Sequence, residues 1–184
     1  LLATPVLLGS IARVPIGVLT DKFGGRRVFS ILLLFGFFPM FIAGFAKSYE
    51  FLLVCGFFFG ILGTSFAVGI PQVSQWYPKE KQGLALGIYG VGNIGSAVAA
   101  FGAPLLANSM GWHKVFMIYS VPLLFMAAVY WFFSEDAPKP AHAKPPTFSD
   151  KLKVYKSSNL IWVFCLFYFM TFGFFVTFSL WLPS

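Results

Sequence analysis

The chain has 184 residues, of which 58% are hydrophobic, 20% aromatic and only 10% charged, with a net charge of +7. Soluble domains carry about 25% charged residues, and a domain of this length needs a polar skin because its surface is large for its volume. The 13 basic and 6 acidic side chains cannot supply one, which argues against a water-soluble enzyme or a nucleic-acid binder despite the positive charge. Hydrophobicity excludes disorder, and two cysteines, Cys55 and Cys165, exclude a disulfide scaffold. The expected solvent is lipid.

Charge-free stretches run through 28–46, 51–78, 82–112, 115–134 and 157–184, and 1–20 is a further apolar stretch interrupted only by Arg13. Each accommodates the roughly 20 residues of a membrane-crossing helix. The reading is all-α and integral to the membrane, with six transmembrane helices near 1–20, 28–46, 51–75, 84–108, 115–133 and 159–182. Pro39, Pro71, Pro104 and Pro122 fall inside these spans, where neighbouring helices re-satisfy the backbone groups they free. The first span lacks the basic flank of a signal peptide, and the apolar pattern continues to the last residue. A chain that opens on Leu1 inside one span and closes on Pro183-Ser184 as another ends reads as a stretch of a longer membrane protein.

Orientation follows from the basic residues. The connections 21–27, 76–83 and 134–158 hold ten lysines and arginines, whereas 47–50 and 109–114 hold only Lys47 and Lys114. The first group is therefore expected in the cytoplasm. Segment 134–158 combines Pro138, Pro140, Pro145 and Pro146 with eight charges. It reads as a linker between two membrane halves, with a short interfacial helix near 148–156 as an option. Its basic character is also what orientation alone requires. The expected domains are 1–133, the linker 134–158, and 159–184.

Arg13 is the one charge inside a span. At seven residues before Thr20 it lies about 10 Å from the basic end at the helical rise, a depth that costs roughly 2.5–3.5 kcal/mol on insertion scales. Snorkelling to the interface is one way to relieve that cost. Against it, Gly9 and Gly17 at i−4 and i+4, with Ser10 at i−3, put Arg13 on a small-residue face of the kind that packs on other helices. With no acidic residue in any predicted span, an anionic ligand is the expected counter-charge. A planar guanidinium matches small oxyanions through paired hydrogen bonds.

Two runs then carry a resemblance. Gly17, Asp21, Lys22, Gly24 and Arg26 fit the loop pattern G-x-x-x-D-[RK]-x-G-[RK]-[RK] between helices two and three of the major facilitator superfamily, with Gly25 at a position usually basic. Gly87-Ile-Tyr-Gly90-Val-Gly92-Asn93-Ile-Gly95, preceded by Pro78-Lys-Glu-Lys-Gln-Gly83, resembles the fifth-helix signature of that superfamily's nitrate/nitrite porters. The glycines by themselves mark close helix packing, with Gly87, Gly90, Gly92 and Gly95 as its contact points, but the Asn93 amide needs polar partners.

The resemblance implies a helical bundle of which helices two to seven are present, and transport of nitrate or nitrite by alternating access, coupled either to anion exchange or to protons. It implies an anion site between two halves. Arg13 matches the second-helix arginine, Asn93 the fifth-helix asparagine, Phe66 a fourth-helix aromatic, and Tyr168 and Phe172 a seventh-helix pair one turn apart. A further arginine would come from an eighth helix. Gly17, Asp21, Gly24, Arg26 and Arg27 would make and break cytoplasmic contacts as the halves move. Packing bulk also accounts for Phe66 and Phe172 in a chain with 25 phenylalanines.

The expected partners are a small inorganic anion, the bilayer and the second half of the same transporter, which would work as a monomer. No nucleic acid, cofactor or metal is expected, since no metal-ligand spacing, phosphate loop or nucleophile–base set stands out. A transporter of another small anion, such as a carboxylate, shares these features, and a non-transporting membrane sensor or anchor is a third reading. His113, in an outer turn, reads as an interface residue, and the cysteines as small apolar fillers.

Overall fold

The computed structural model describes residues 4–137 and 159–181. Among these every element is helical: α1 (Thr4–Phe23), α2 (Gly25–Ala43), α3 (Tyr49–Phe59), α4 (Ser65–Trp76), α5 (Lys79–Gly90), α6 (Ile94–Met110), α7 (Trp112–Phe133) and α8 (Asn159–Trp181). Single 3₁₀ turns, Gly60–Thr64 and Val91–Asn93, join α3 to α4 and α5 to α6. The spans expected at 51–75 and 84–108 are thus each one long rod with a tightened turn in its middle. Five stretches among the described residues are long and apolar enough to cross a membrane: Gly25–Ala43, Tyr49–Trp76, Lys79–Met110, Trp112–Phe133 and Asn159–Phe178. The remaining helix, α1, carries Arg13, Asp21 and Lys22, and these charges lower its apolarity below that of the other five. All-helical architecture of membrane-spanning length is as the composition requires.

The connections are shorter than expected, because helix continues through several residues that read as loop. The 21–27 connection contracts to Gly24 alone, with φ +92°. The 109–114 turn contracts to Gly111, φ +84°, and 76–83 to Tyr77 and Pro78. Both single-residue breaks need the left-handed backbone that glycine adopts without a Cβ penalty. Pro15, Pro39, Pro71, Pro104 and Pro122 all lie within helices. Hydroxyls bond back along the helices, Thr20 to Ile16 O (2.8 Å), Thr64 to Ile61 O (2.7 Å) and Ser120 to Met117 O (2.6 Å), so these polar groups are satisfied without water.

The chain divides into two compact units, Ala3–Ala141 and His142–Ser184. In the first, α2 packs chiefly on α7 and α3, and α1 on the Gly60–Thr64 turn and α3. Its core is Val28, Leu32 and Val68, flanked by Ile16, Phe29, Ile61 and Leu62, where α1, α2 and α4 meet. Many large apolar side chains point outward, among them Phe101, Phe132 and Phe133. Such a surface suits lipid and not water. The second unit is represented by α8. Residues 138–158, and with them the interfacial helix expected near 148–156, lie outside the described residues.

Cys55 is buried as expected of a small apolar filler, while Cys165 is exposed. His113 stacks on Trp112 (ring centroids 3.5 Å apart) and its Nε2 lies 3.2 Å from the Ala46 carbonyl oxygen, tying together the two turns at the poorly basic end.

Candidate anion site and cytoplasmic cluster

Arg13 sits ten residues before the end of α1, about 15 Å along the helix, because the helix runs past Thr20. It is half-buried, and its Nη2 donates to the carbonyl oxygen of Gly63 at 3.1 Å. Glycines open that path. A Cβ on Gly9 would lie 2.6 Å from the Gly60 oxygen, a Cβ on Gly60 would collide with the backbone of Pro5, and a Cβ on Gly63 would touch the Gly9 Cα at 3.7 Å. The backbones of α1 and the Gly60–Thr64 turn therefore approach as closely as side-chain-free positions allow. A 3₁₀ turn has poorer internal hydrogen-bond geometry than α-helix, which favours use of its carbonyls by a neighbouring cation. The small-residue face expected around Arg13 is divided. Gly9 is in tight contact, but no atom lies within 4 Å of a Cβ built on Gly17.

Phe66 follows Gly63 by three residues and meets Tyr89 of α5 edge-on, centroids 5.6 Å apart. The Tyr89 hydroxyl donates to the Ser65 carbonyl oxygen at 3.4 Å and sits over Gly69, whose missing side chain makes the room. Contacts thus lead from Arg13 through the Gly63–Phe66 segment to α5. Asn93 comes four residues after Tyr89, in the turn Val91–Asn93, and is exposed. Its carbonyl accepts from Ser96 Oγ at 2.6 Å. That turn packs on α5 and α6, whereas the turn that receives Arg13 packs on α1, α2, α3 and α4, so Asn93 and Arg13 are not brought together. The expected packing at Gly87, Gly90, Gly92 and Gly95 is not met within the described residues: a Cβ at any of them would face open space.

In the second unit, Tyr168 and Phe172 stack almost parallel, 5.3 Å between centroids and 7° between planes. The one-turn spacing does put them on a common face of α8.

At the basic end the structure assembles a polar cluster around the glycine break. Gly24 has no side chain with which to cap α2. The cap comes from Asp136, whose Oδ1 accepts at 2.8 Å from the backbone N–H of Arg26, 110 residues before it. A carboxylate there satisfies an orphan donor and opposes the positive end of the helix dipole. The Arg26 side chain turns the same way, donating from Nε (2.8 Å) and Nη2 (2.5 Å) to the Trp131 carbonyl oxygen, with its guanidinium 5.8 Å from the Trp131 ring centroid. Beneath them Gln72 of α4, only 7% exposed, accepts from the Tyr130 hydroxyl at 2.6 Å. Its amide donates to the Glu135 carbonyl (3.3 Å) and Ser134 Oγ (3.4 Å). The Tyr130 ring in turn stacks on Phe29 at 4.8 Å. Arg26 was legible as a candidate. Asp136, Gln72, Tyr130 and Trp131 were not, although an amide in an otherwise charge-free span was a signal for Gln72. Arg27, next to Arg26, is exposed, and its aliphatic stem borders an apolar groove.

Comparison with known proteins adds lineage to this geometry. The chain matches the Major Facilitator Superfamily over residues 1–184. It is 39% identical over 182 residues to the nitrite extrusion protein of Bacillus subtilis, covering 99% of this chain and 45% of that protein. It is 42% identical over 184 residues to the probable nitrate transporter NarT of Staphylococcus epidermidis, with coverage of 100% and 47%. Against the probable nitrate/nitrite antiporter NarK1 of Thermus thermophilus, identity is 39% over 195 residues, with coverage of 99% and 43%. The chain spans about half the length of the curated relatives it matches. These relatives are named as transporters and not as enzymes.

Proposed function

Because this chain belongs to the Major Facilitator Superfamily, matched from its first residue to its last, we propose that it is the part of a multi-pass plasma-membrane transporter that supplies one side of a nitrate or nitrite site. The names of its relatives support the substrate class. Residues 1–133 form most of one helical half, 134–158 the cytoplasmic linker and 159–184 the first helix of the other half. The basic connections face the cytoplasm, and the transporter works as a monomer.

One observation supports the anion reading most directly. Arg13 lies deep in α1 yet reaches across a glycine seam to the Gly63 carbonyl, instead of extending along its own helix to the interface. Intramembrane arginines of this kind pair with backbone carbonyls and mark ion pathways. The proposed contacts are Arg13 on the oxyanion through its planar fork and Phe66, three residues after Gly63, as an apolar wall; the resemblance gives Asn93 the part of an amide donor and Tyr168 and Phe172 that of aromatic contacts to the anion. Alternating access about a central site, by two rocking halves, needs no bond-making chemistry. Gly17, Asp21, Gly24, Arg26 and Arg27 shape the cytoplasmic contacts that change as the halves move.

Nitrate uptake into proteoliposomes containing the intact transporter tests this. Arg13→Lys keeps the charge and loses the fork, so uptake is expected to collapse, and unchanged uptake would sink the site assignment. The same vesicles with and without an imposed pH gradient separate proton coupling from exchange. Competition by nitrite and by small carboxylates ranks the anions.

A further inference from the structure

Adjacent arginines at the start of α2 have opposite fates. Arg26 is spent inside the polar cluster, on the Trp131 carbonyl. Arg27, one residue on and about 100° round the helix, is exposed and has no hydrogen-bond or ion-pair partner among the described residues. It stands instead at the edge of a groove of about 350 Å³ between α1 and α2. Leu19 and Phe23 line the groove from α1, Ile31 and Phe35 from α2, and Leu32 from the core. All of these except Leu32 are exposed, so the groove opens sideways along the two helices. It extends from Arg27 to Phe35, eight residues or about 12 Å of helix toward the membrane interior. A second cation stands at the same end, for the Lys22 ammonium lies 5.2 Å from the centroid of the Phe23 ring that forms the groove wall.

An apolar trough with two cations at its basic end is the inverse of an anionic phospholipid. Basic pockets between transmembrane helices on the cytoplasmic side bind such headgroups, and the trough walls suit an acyl chain. We propose that the α1–α2 groove is a binding site for one anionic phospholipid of the basic-side leaflet, its phosphate on Arg27 with Lys22 beside it and one acyl chain along Leu19, Ile31 and Phe35. Arg13 does not line this groove, although Ile61 of the Gly60–Thr64 turn closes its inner wall. A lipid seated there bridges α1 and α2 across the single-residue break at Gly24.

The probe is phosphatidylglycerol, compared with phosphatidylcholine of the same acyl chains. Each is added to the intact transporter purified in mild detergent, and retained lipid is counted by native mass spectrometry. Retention is expected to favour phosphatidylglycerol by about fivefold for each basic residue engaged. Arg27→Gln removes most of that preference, whereas Arg26→Gln, which changes the same formal charge one residue away, leaves it. Ile31→Trp fills the open side of the trough and lowers retention of both lipids, a readout that does not depend on the arginine variant folding. Equal retention of the two lipids by the unaltered protein, or a preference that survives Arg27→Gln, overturns the proposal. So does retention of neither lipid, the result if another segment of a longer transporter seals the groove.

Discussion

The Nη2 of Arg13 and the carbonyl oxygen of Gly63 are 3.1 Å apart, joining the one charge deep in α1 to the middle of the α3–α4 rod. Both partners depend on absent side chains, since Gly9 and Gly60 let the two backbones close to contact distance. The charge is thereby held at a defined point on a rigid seam, which suits a group that must meet an anion in one orientation.

That dependence makes Gly60 sensitive. Gly60→Ala would drive a Cβ into the backbone of Pro5, which cannot swing aside as a side chain does. Overpacking of this kind costs about 1–3 kcal/mol, and the accompanying shift of Gly63 is expected to reduce nitrate uptake as well. Gly17→Ala, in open space, is expected to leave thermal stability in detergent unchanged or slightly raised through helix propensity. Thermal unfolding of the two variants side by side checks the seam; equal destabilisation would refute it.

Asp136 bonds the main chain of Arg26, not its side chain. Asp136→Ala should therefore cost about 1 kcal/mol as a lost helix cap even when Arg26 is already alanine. A double-mutant cycle read by thermal or denaturant unfolding is expected to be additive to within about 0.5 kcal/mol. A large coupling energy would instead mean that the two side chains act as a pair.

Tyr130→Phe leaves the stack on Phe29 in place and deletes only the hydroxyl that donates to Gln72. The buried amide oxygen loses a partner, at a cost of about 1–3 kcal/mol. Lowered unfolding temperature with unchanged helical content by circular dichroism is the expected outcome, and an unaltered temperature would show that the contact contributes nothing.

Tyr168 and Phe172 separate a packing role from a binding role. Tyr168→Phe keeps two stacked rings, so α8 is expected to be unaffected, but a hydroxyl facing a bound anion would be lost. A hydrogen bond to a charged group is worth about 1.5–3 kcal/mol, hence roughly tenfold or more in nitrate affinity, measurable by uptake kinetics or calorimetry. Unchanged affinity would relegate the pair to wall or filler.

Several candidate residues stood out in the sequence because each breaks a local rule. Arg13 stood out as a charge in an apolar span, Asn93 as an amide among glycines, and Gly24 and Arg26 by the loop pattern. Gly60 and Gly63 did not stand out, since glycine in a membrane helix is ordinary until the neighbouring backbone is known. Tyr89 also escaped notice, because its meaning lies in Phe66 and Gly69 on another helix. The glycine run at 87–95 read as a contact face, but open space surrounds it among the described residues. A small-residue pattern says that a helix can approach, and not which one does.

Hydrophobicity and charge are properties of a residue and its near neighbours, so the sequence by itself determined that the chain is helical, lives in lipid, and carries its basic residues on alternate connections. It also determined that Arg13 is costly where it stands. Only the tertiary structure decided how that cost is met, through a carbonyl fifty residues away. The same holds for the cap on α2, supplied from 110 residues away, and for which of two adjacent arginines turns inward. Those outcomes depend on which helix faces pack, and that is decided by shape complementarity between segments far apart in the chain, which no local pattern encodes.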